Sequence, residues 1–366
     1  MGSLSPSRSQ VLSLFPFALA SILVIGIVKL YLENSHSVRI RLHPARRSYP
    51  AGFISLSEAS VVSRCNVFDG KWVFDNATRP LYREQSCPYL TKQVTCKKNG
   101  RPDSLYQNWR WKPNSCELPK FDAVTLLEIL RDKTMMLIGD SIQRTQWESL
   151  VCLIQSSIIG GRKSLYRDPP MKIFYAEEFN AKIVFYWNPF VVESNSDHAL
   201  KHTVYKRLVN LDTVAKHSKH WKGVDVLVFE SYVWWMYKPV INATSWEWRP
   251  GSDENCFNET HPIEGRTYWG TGSSLEIMGA VADVLREMKT NVTYMNITQL
   301  SEFRKDGHTT VYTERRGKLL TKEQKADPKT YGDCIHWCLP GVPDTWNEIL
   351  YAYLLHDFYH LFNTTQ

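Results

Sequence analysis

The chain has no dense run of lysine and arginine, and its formal net charge of +7 over 366 residues is mild. Without a basic run, nucleic acid is not an expected partner. None of its eight cysteines falls in a CxxC pair, so no metal site is expected from them. His198, His202, His217 and His220 would need closer spacing and an acidic ligand to hold zinc, and they read as solvated histidines of a polar stretch. Long apolar runs are scarce as well. One is present, from Val11 to Leu32.

About twenty such residues span a bilayer. Pro16 is tolerable near a helix end, and Lys29 can extend its amine to the interface. A cleaved signal peptide is the rival reading, but the run is long and no small-x-small site follows it. The flanking charges conflict with other signals. Only Arg8 precedes the run, whereas Lys29, Arg39, Arg41, Arg46 and Arg47 follow, which would put the body in the cytosol. The cysteines (Cys65, Cys87, Cys96, Cys116, Cys152, Cys256, Cys334 and Cys338) form an even set suited to disulfides. Sequons for N-glycosylation start at Asn76, Asn242, Asn258, Asn291, Asn296 and Asn363. Together these outweigh the charge count. The expectation is a cytoplasmic tail over 1–10, a transmembrane signal anchor over 11–32 and a body in a secretory lumen.

Residues 33–63 are polar, with Pro44 and Pro50 and no sustained period, as in a flexible stem. Residues 64–119 hold four of the cysteines and many aromatics, and read as a small disulfide-braced module leaning on its neighbour. The main domain is expected over 120–366. Its pattern predicts helices over Val124 to Arg131, from Ser141 to about Ile159, over Leu208 to Ala215 and over Leu275 to Lys289. In the last, Leu275, Met278, Val281, Ala282, Leu285 and Met288 form the side to be buried. Strands are predicted at Thr134 to Ile138, Lys172 to Tyr175, Ile183 to Trp187, Val224 to Phe229 and Asn291 to Ile297. Such alternation implies an α/β fold, a mostly parallel sheet with helices on both faces. Ligands then sit beyond the carboxyl ends of the strands.

Gly139-Asp140-Ser141 lies at that edge, where a strand turns into a helix. A serine hydroxyl is a poor nucleophile until a base takes its proton and a third group orients that base. A helix N-terminus also offers positive potential to a developing oxyanion. The bland alternative is a plain helix cap. Asp333 and His336, three apart, can share one face of a helical turn, so that the carboxylate holds one imidazole nitrogen and the other faces Ser141. Cys334 and Cys338 bracket this histidine, whereas the rival Asp306-Gly307-His308 lacks such bracing. Trp109-Arg110-Trp111 can form an aromatic platform for polysaccharide. Equally, its two tryptophans can pack the small module onto the main domain.

In order, Cys65-Asn66-Val67-Phe68-Asp69-Gly70-Lys71-Trp72-Val73, Trp109-Arg110-Trp111, Gly139-Asp140-Ser141 and Asp333-Cys334-Ile335-His336-Trp337-Cys338-Leu339-Pro340-Gly341 resemble the plant trichome birefringence-like family, over about residues 64 to 360. The resemblance implies a GDSL/SGNH-like esterase fold in a single-pass type II Golgi protein that O-acetylates cell-wall polysaccharide in the lumen. Pro343-Asp344-Thr345-Trp346-Asn347 and Arg304-Lys305-Asp306-Gly307-His308 are most similar to its xylan-acetylating branch. It also implies Ser141 as nucleophile, His336 as base and Asp333 as its orienter. An acetyl donor such as acetyl-CoA would be a co-substrate, with no bound cofactor. Backbone N–H groups near Ser141 would hold the oxyanion, supported by Gly139, Asp140 and Arg144. The implied disulfides are Cys65–Cys116, Cys87–Cys152, Cys96–Cys338 and Cys256–Cys334.

Three features depart from the family pattern. Arg144-Thr145 stands where Arg-Asn is usual, and Glu230-Ser231 where an asparagine usually leads. A glutamate carboxylate there would repel an oxyanion unless protonated or turned away. After Thr244 about one helix and one strand are missing, which predicts exposed apolar faces, poor folding or lost activity. An acetylesterase using water as acceptor and a non-enzymatic wall-glycan binder are the alternative functions.

Overall fold

The computed structural model describes residues 54–364, apart from 159, 161, 203–206, 211–212, 237–254, 266, 271–272, 291 and 316. The apolar run over 11–32, most of the expected stem, and the point after Thr244 lie outside them. Among the described residues, no helix is long and apolar enough to cross a membrane.

The small module pairs β1 (Gly70–Phe74) antiparallel with β2 (Trp109–Pro113). Two strands alone bury little, so the module depends on attachments. The cysteines join as Cys65–Cys116, Cys87–Cys152, Cys96–Cys338 and Cys256–Cys334, the pairs the resemblance implies. Two of these tie the module to the rest. Arg79 adds a 2.6 Å ion pair to Glu348, and the Tyr82 hydroxyl donates to Asp344 at 3.0 Å.

Helix α1 (Ala123–Ile129) is capped by Asp122, whose side chain accepts from the Thr125 N–H. There follow β3 (Thr134–Gly139), α2 (Ser141–Gln155), β4 (Lys163–Asp168), β5 (Met171–Ala176), β6 (Ala181–Trp187) and β7 (Val226–Glu230). They form one sheet in the order β4-β5-β6-β3-β7. β3 is parallel to both β6 and β7, but β4–β5 and β5–β6 are antiparallel. The sheet is therefore mixed, not mostly parallel. The reason is connection length: Pro169-Pro170 and residues 177–180 are too short for a crossover, so these strands must return as hairpins.

α3 (Leu275–Glu287), β8 (His308–Thr310), β9 (Asp333–Trp337) and α4 (Val342–Thr364) complete the chain. α2 packs on β3 and β6, and α4 on α2 and α1. The second helical layer is not built by α3, in which only Met278 is buried and Leu275 is 61% exposed. In place of a helix at Leu208 to Ala215 there is a two-residue strand, Val209–Asn210, and a short helix, Ala215–Ser218. Residues 292–297 form no strand. β7 is the last strand of the sheet, and an extended segment becomes a strand only where a neighbour's backbone groups accept it.

His217 is buried rather than solvated. Its ring nitrogens lie 2.8 Å from the Tyr186 hydroxyl and 3.1 Å from Asp197, partners that satisfy an imidazole out of water.

Candidate active site

β3 delivers the serine. At Gly139 an added Cβ would strike the carbonyl oxygen of Glu230 and the side chain of Gln143, so only glycine lets β3, β7 and α2 converge. Asp140 is extended and its Oδ1 accepts the Ile142 N–H at 2.7 Å, a helix cap. α2 buries every residue except Ser141 and Arg144. Ser141 thus opens an otherwise enclosed helix, with its hydroxyl at the surface of the core.

β9 delivers the other half. Nε2 of His336 is 2.7 Å from the Ser141 hydroxyl, and its Nδ1 is 2.8 Å from Oδ2 of Asp333. A proton held on Nδ1 by the carboxylate leaves Nε2 free to accept from the serine. The expected helical turn is absent. Asp333 and His336 share strand β9, and Oδ1 of Asp333 folds back to accept the N–H groups of Ile335 and His336, each at 3.0 Å. Desolvation pushes the Asp333 carboxyl up, but the charge and hydrogen bonds of His336 and those backbone N–H groups outweigh it and hold it well below the usual range. Cys256–Cys334 and Cys96–Cys338 anchor both ends of this strand.

His308 lies behind the dyad. Its ring stacks on Trp337 with centroids 3.8 Å apart, its Nδ1 is 3.2 Å from the His336 carbonyl, and burial depresses its pKa to about 3. The neighbouring Arg304 and Asp306 are buried partners at 2.8 Å, and Arg304 also donates to the Tyr106 carbonyl. The segment that rivalled the dyad is a buttress beneath it.

Arg144 does not turn to the oxyanion side. Its guanidinium donates to the Gln93 side chain and lies 3.6 Å from Glu148, one helical turn along α2. Glu148 in turn accepts the N–H and hydroxyl of Thr91. Arg144 thereby fastens the small module to α2. Trp111 is also not available to a ligand. It is 3% exposed, donates to the Val67 carbonyl and sits edge-on to Trp72 at 5.6 Å, because β2 turns its apolar face inward. Trp109 and Arg110 stay partly exposed, the first against Phe74 and the second paired with Asp75 and Glu117.

Of the sequon asparagines, Asn76 and Asn258 are exposed. Asn296 is half-buried. Asn242, Asn291 and the Asn363 side chain lie outside the described residues.

Sequence reasoning singled out Asp140 and Glu230 near Ser141 but missed Asn188. Asn188 follows β6, its N–H donates to the Gly139 carbonyl, and its carboxamide is buried without a partner. The Glu230 side chain hydrogen-bonds Asp140, and burial raises both carboxyls. The signal for Asn188 was position alone: it follows β6, a strand beside β3.

A serine, a histidine and an aspartate hydrogen-bonded in a row, with the serine at the carboxyl edge of a parallel strand trio, have the geometry that esterase-type acyl transfer requires. Residues 118–247 and 241–353 match the GDSL/SGNH-like acyl-esterase family found in Pmr5 and Cas1p, and residues 63–117 match the PMR5 N-terminal domain. The chain belongs to that acyl-esterase family, among its trichome birefringence-like members. It is similar to protein trichome birefringence-like 31 of Arabidopsis thaliana, 55% identical across 96% of this chain and 98% of that protein. It is 42% identical to protein trichome birefringence-like 3 of the same plant, across 79% of each chain. It is also 42% identical to xylan O-acetyltransferase 3 of Oryza sativa subsp. japonica, across 80% of this chain and 76% of that one.

Proposed function

We propose that the protein is a cell-wall polysaccharide O-acetyltransferase that acts on xylan through an acetyl-serine. The hydrogen-bonded chain Ser141–His336–Asp333 carries this reading. Relatives named as xylan O-acetyltransferases support the substrate class. His336 takes the serine proton as Oγ attacks the donor's acetyl carbonyl, then returns it to the departing group. A xylosyl hydroxyl next gives its proton to His336 and attacks the acetyl-serine carbonyl, and His336 passes that proton to Oγ of Ser141 as the acyl bond to serine breaks. Asp333 keeps the imidazole in one tautomer and stabilises its charged form. The donor is acetyl-CoA or another acetyl ester. The body works in the Golgi lumen, held by the apolar run at 11–32, with glycans at exposed sequons such as Asn76 and Asn258.

The test is incubation of the protein with xylo-oligosaccharide and acetyl-CoA, or an artificial ester donor, followed by mass spectrometry. Acetyl groups on sugar and on Ser141 are expected. Acetate release with unmodified sugar would make it an esterase, and no acetylated Ser141 would end the mechanism.

A second reading is that this chain is a shortened form with weakened folding or activity, retaining glycan binding. The 404 aligned positions shared with trichome birefringence-like 31 exceed the 366 residues of this chain. The two family matches meet at residues 241–247, and β7 and α3 beside that point are poorly covered. Purification of the chain as a monomer with cooperative unfolding and acetyl transfer would rule this reading out.

A further inference from the structure

Behind Ser141 two carboxyl groups meet that the acyl-transfer steps do not use. Asp140 follows β3 and Glu230 ends β7, and Glu230 is in register with Gly139. Each gives one oxygen to a backbone donor: Asp140 Oδ1 takes the Ile142 N–H at 2.7 Å, and Glu230 Oε1 takes the Tyr232 N–H at 3.1 Å. The remaining oxygens, Asp140 Oδ2 and Glu230 Oε2, are shielded from solvent and unpartnered, the side chains are in hydrogen-bond contact, and the Gln143 backbone N–H bears on both carboxyls. Two carboxylate oxygens cannot bond one another without a proton between them.

Among the described residues, no cation stands by to replace that proton. On α2, Arg144 and Glu148 face one another, Gln93 and Lys172, and Gln143 offers an amide. At the end of β6 stands the neutral Asn188, beyond β7 the phenol of Tyr232, and on β9 His336 and Asp333 are occupied with each other. The Asp140 carboxyl is raised by burial first and by Glu230 second, in keeping with a retained proton.

We propose that Asp140 and Glu230 share a single proton and act together as positioning residues, holding the turn at Ser141 in place with one negative charge instead of two. This rests on the acyl-transfer reading of Ser141. When hydroxide removes the proton, two charges repel across the ends of β3 and β7. The turn then shifts, and negative potential rises where the oxyanion forms. The acid–carboxylate pair also answers the difficulty of a glutamate at this place, since its proton is spent on Asp140.

The test compares the pH dependence of acetyl transfer in the native protein, Glu230→Gln and Asp140→Asn. Either amide donates an N–H to the carboxylate that remains, reproducing the bonded geometry with no proton to lose. The native rate should fall on the alkaline side, by about tenfold per pH unit once the pair ionises. Both variants should lose that limb and keep the acid side of the profile. Infrared spectra provide a readout independent of activity: the carbonyl stretch of a protonated carboxyl should vanish in each variant. An unchanged alkaline limb in Glu230→Gln, or native-minus-variant difference spectra in which neither variant loses a carbonyl stretch, would overturn the pair. A native protein that transfers no acetyl would instead refute the enzymatic reading, while the infrared bands still decide the pair.

Discussion

Adjacent strands β3 and β7 are hydrogen-bonded along their length, yet they live in different surroundings. In β3 every residue after Thr134 is buried; in β7 only Val226 is, and Phe229 is 37% exposed. The helices repeat the contrast: α2 is enclosed almost all round, and α3 buries Met278 alone. The enclosed region carries Ser141 and receives His336. The thin region carries Glu230 and adjoins residues 237–254. A site of this kind tolerates loss of cover on its far side only while its own strand and helix stay clamped, and here the clamps are α4, the small module and two disulfides on β9.

The contrast can be tested hardest at the chemistry. Ser141→Ala should cut acetyl transfer by a factor of about 10⁴ or more, and adding His336→Ala should cost little further, because the two act as one unit. Circular dichroism should show the fold unchanged in both. A residual rate within tenfold of native would break the assignment of function to the enclosed region.

Replacing Cys96 and Cys338 with serine should lower stability by about 2–5 kcal/mol in denaturant titrations. It should also loosen His336. A variant with native stability would show that the small module is not a clamp.

Core truncation should separate the regions directly. Leu150→Ala on α2 is expected to cost about 2–5 kcal/mol, and Leu285→Ala on α3 within about 1 kcal/mol, since partial burial has little to lose. Amide exchange should follow, with α3 exchanging well before α2. Equal costs would mean that α3 is covered in solution.

A pH-dependent effect concerns Asp344, in the first turn of α4 and bonded to Tyr82 of the small module and Ser149 of α2. Burial raises its carboxyl from 3.8 to about 6 despite hydrogen bonds from Ser149, Gly341 and Tyr82. A raised folded pKa means that the fold binds the proton more tightly than the unfolded chain. Its contribution is present below about pH 4 and is lost as pH rises through about 6. Over that window Asp344→Asn should reduce the fall in stability by up to about 3 kcal/mol. An identical pH slope in native and variant would show that the carboxyl is not desolvated.

Local chemistry made part of this legible. The apolar run from Met135 to Ile138 followed by Gly139-Asp140-Ser141 announces a strand, a tight turn and a capped helix, and those residues do this. Asp333 and His336 were readable as a pair, but not as members of a strand. Their three-residue spacing suits a helical turn, and the strand arises because β9 pairs with β8, which lies far off in the chain. The mixed sheet was missed because strand direction depends on connection length, while apolar pattern reports only burial. The segment at 292–297 has the composition of a strand but pairs with no strand of the sheet, although β7 ends it. Trp109 and Trp111 share one face of β2, and their places along the strand, not the alternation, decided that Trp111 is core.

By itself the sequence determined which residue types could do acyl-transfer chemistry, where the chain must turn sharply and which faces need burial. These follow from side-chain chemistry and local backbone freedom. Tertiary structure alone decided that His336 and not His308 meets Ser141, that Arg144 braces the small module, and that Asp140 and Glu230 face one another. Contacts between groups distant in the chain depend on which strands pair and how the core closes, and no local pattern encodes that.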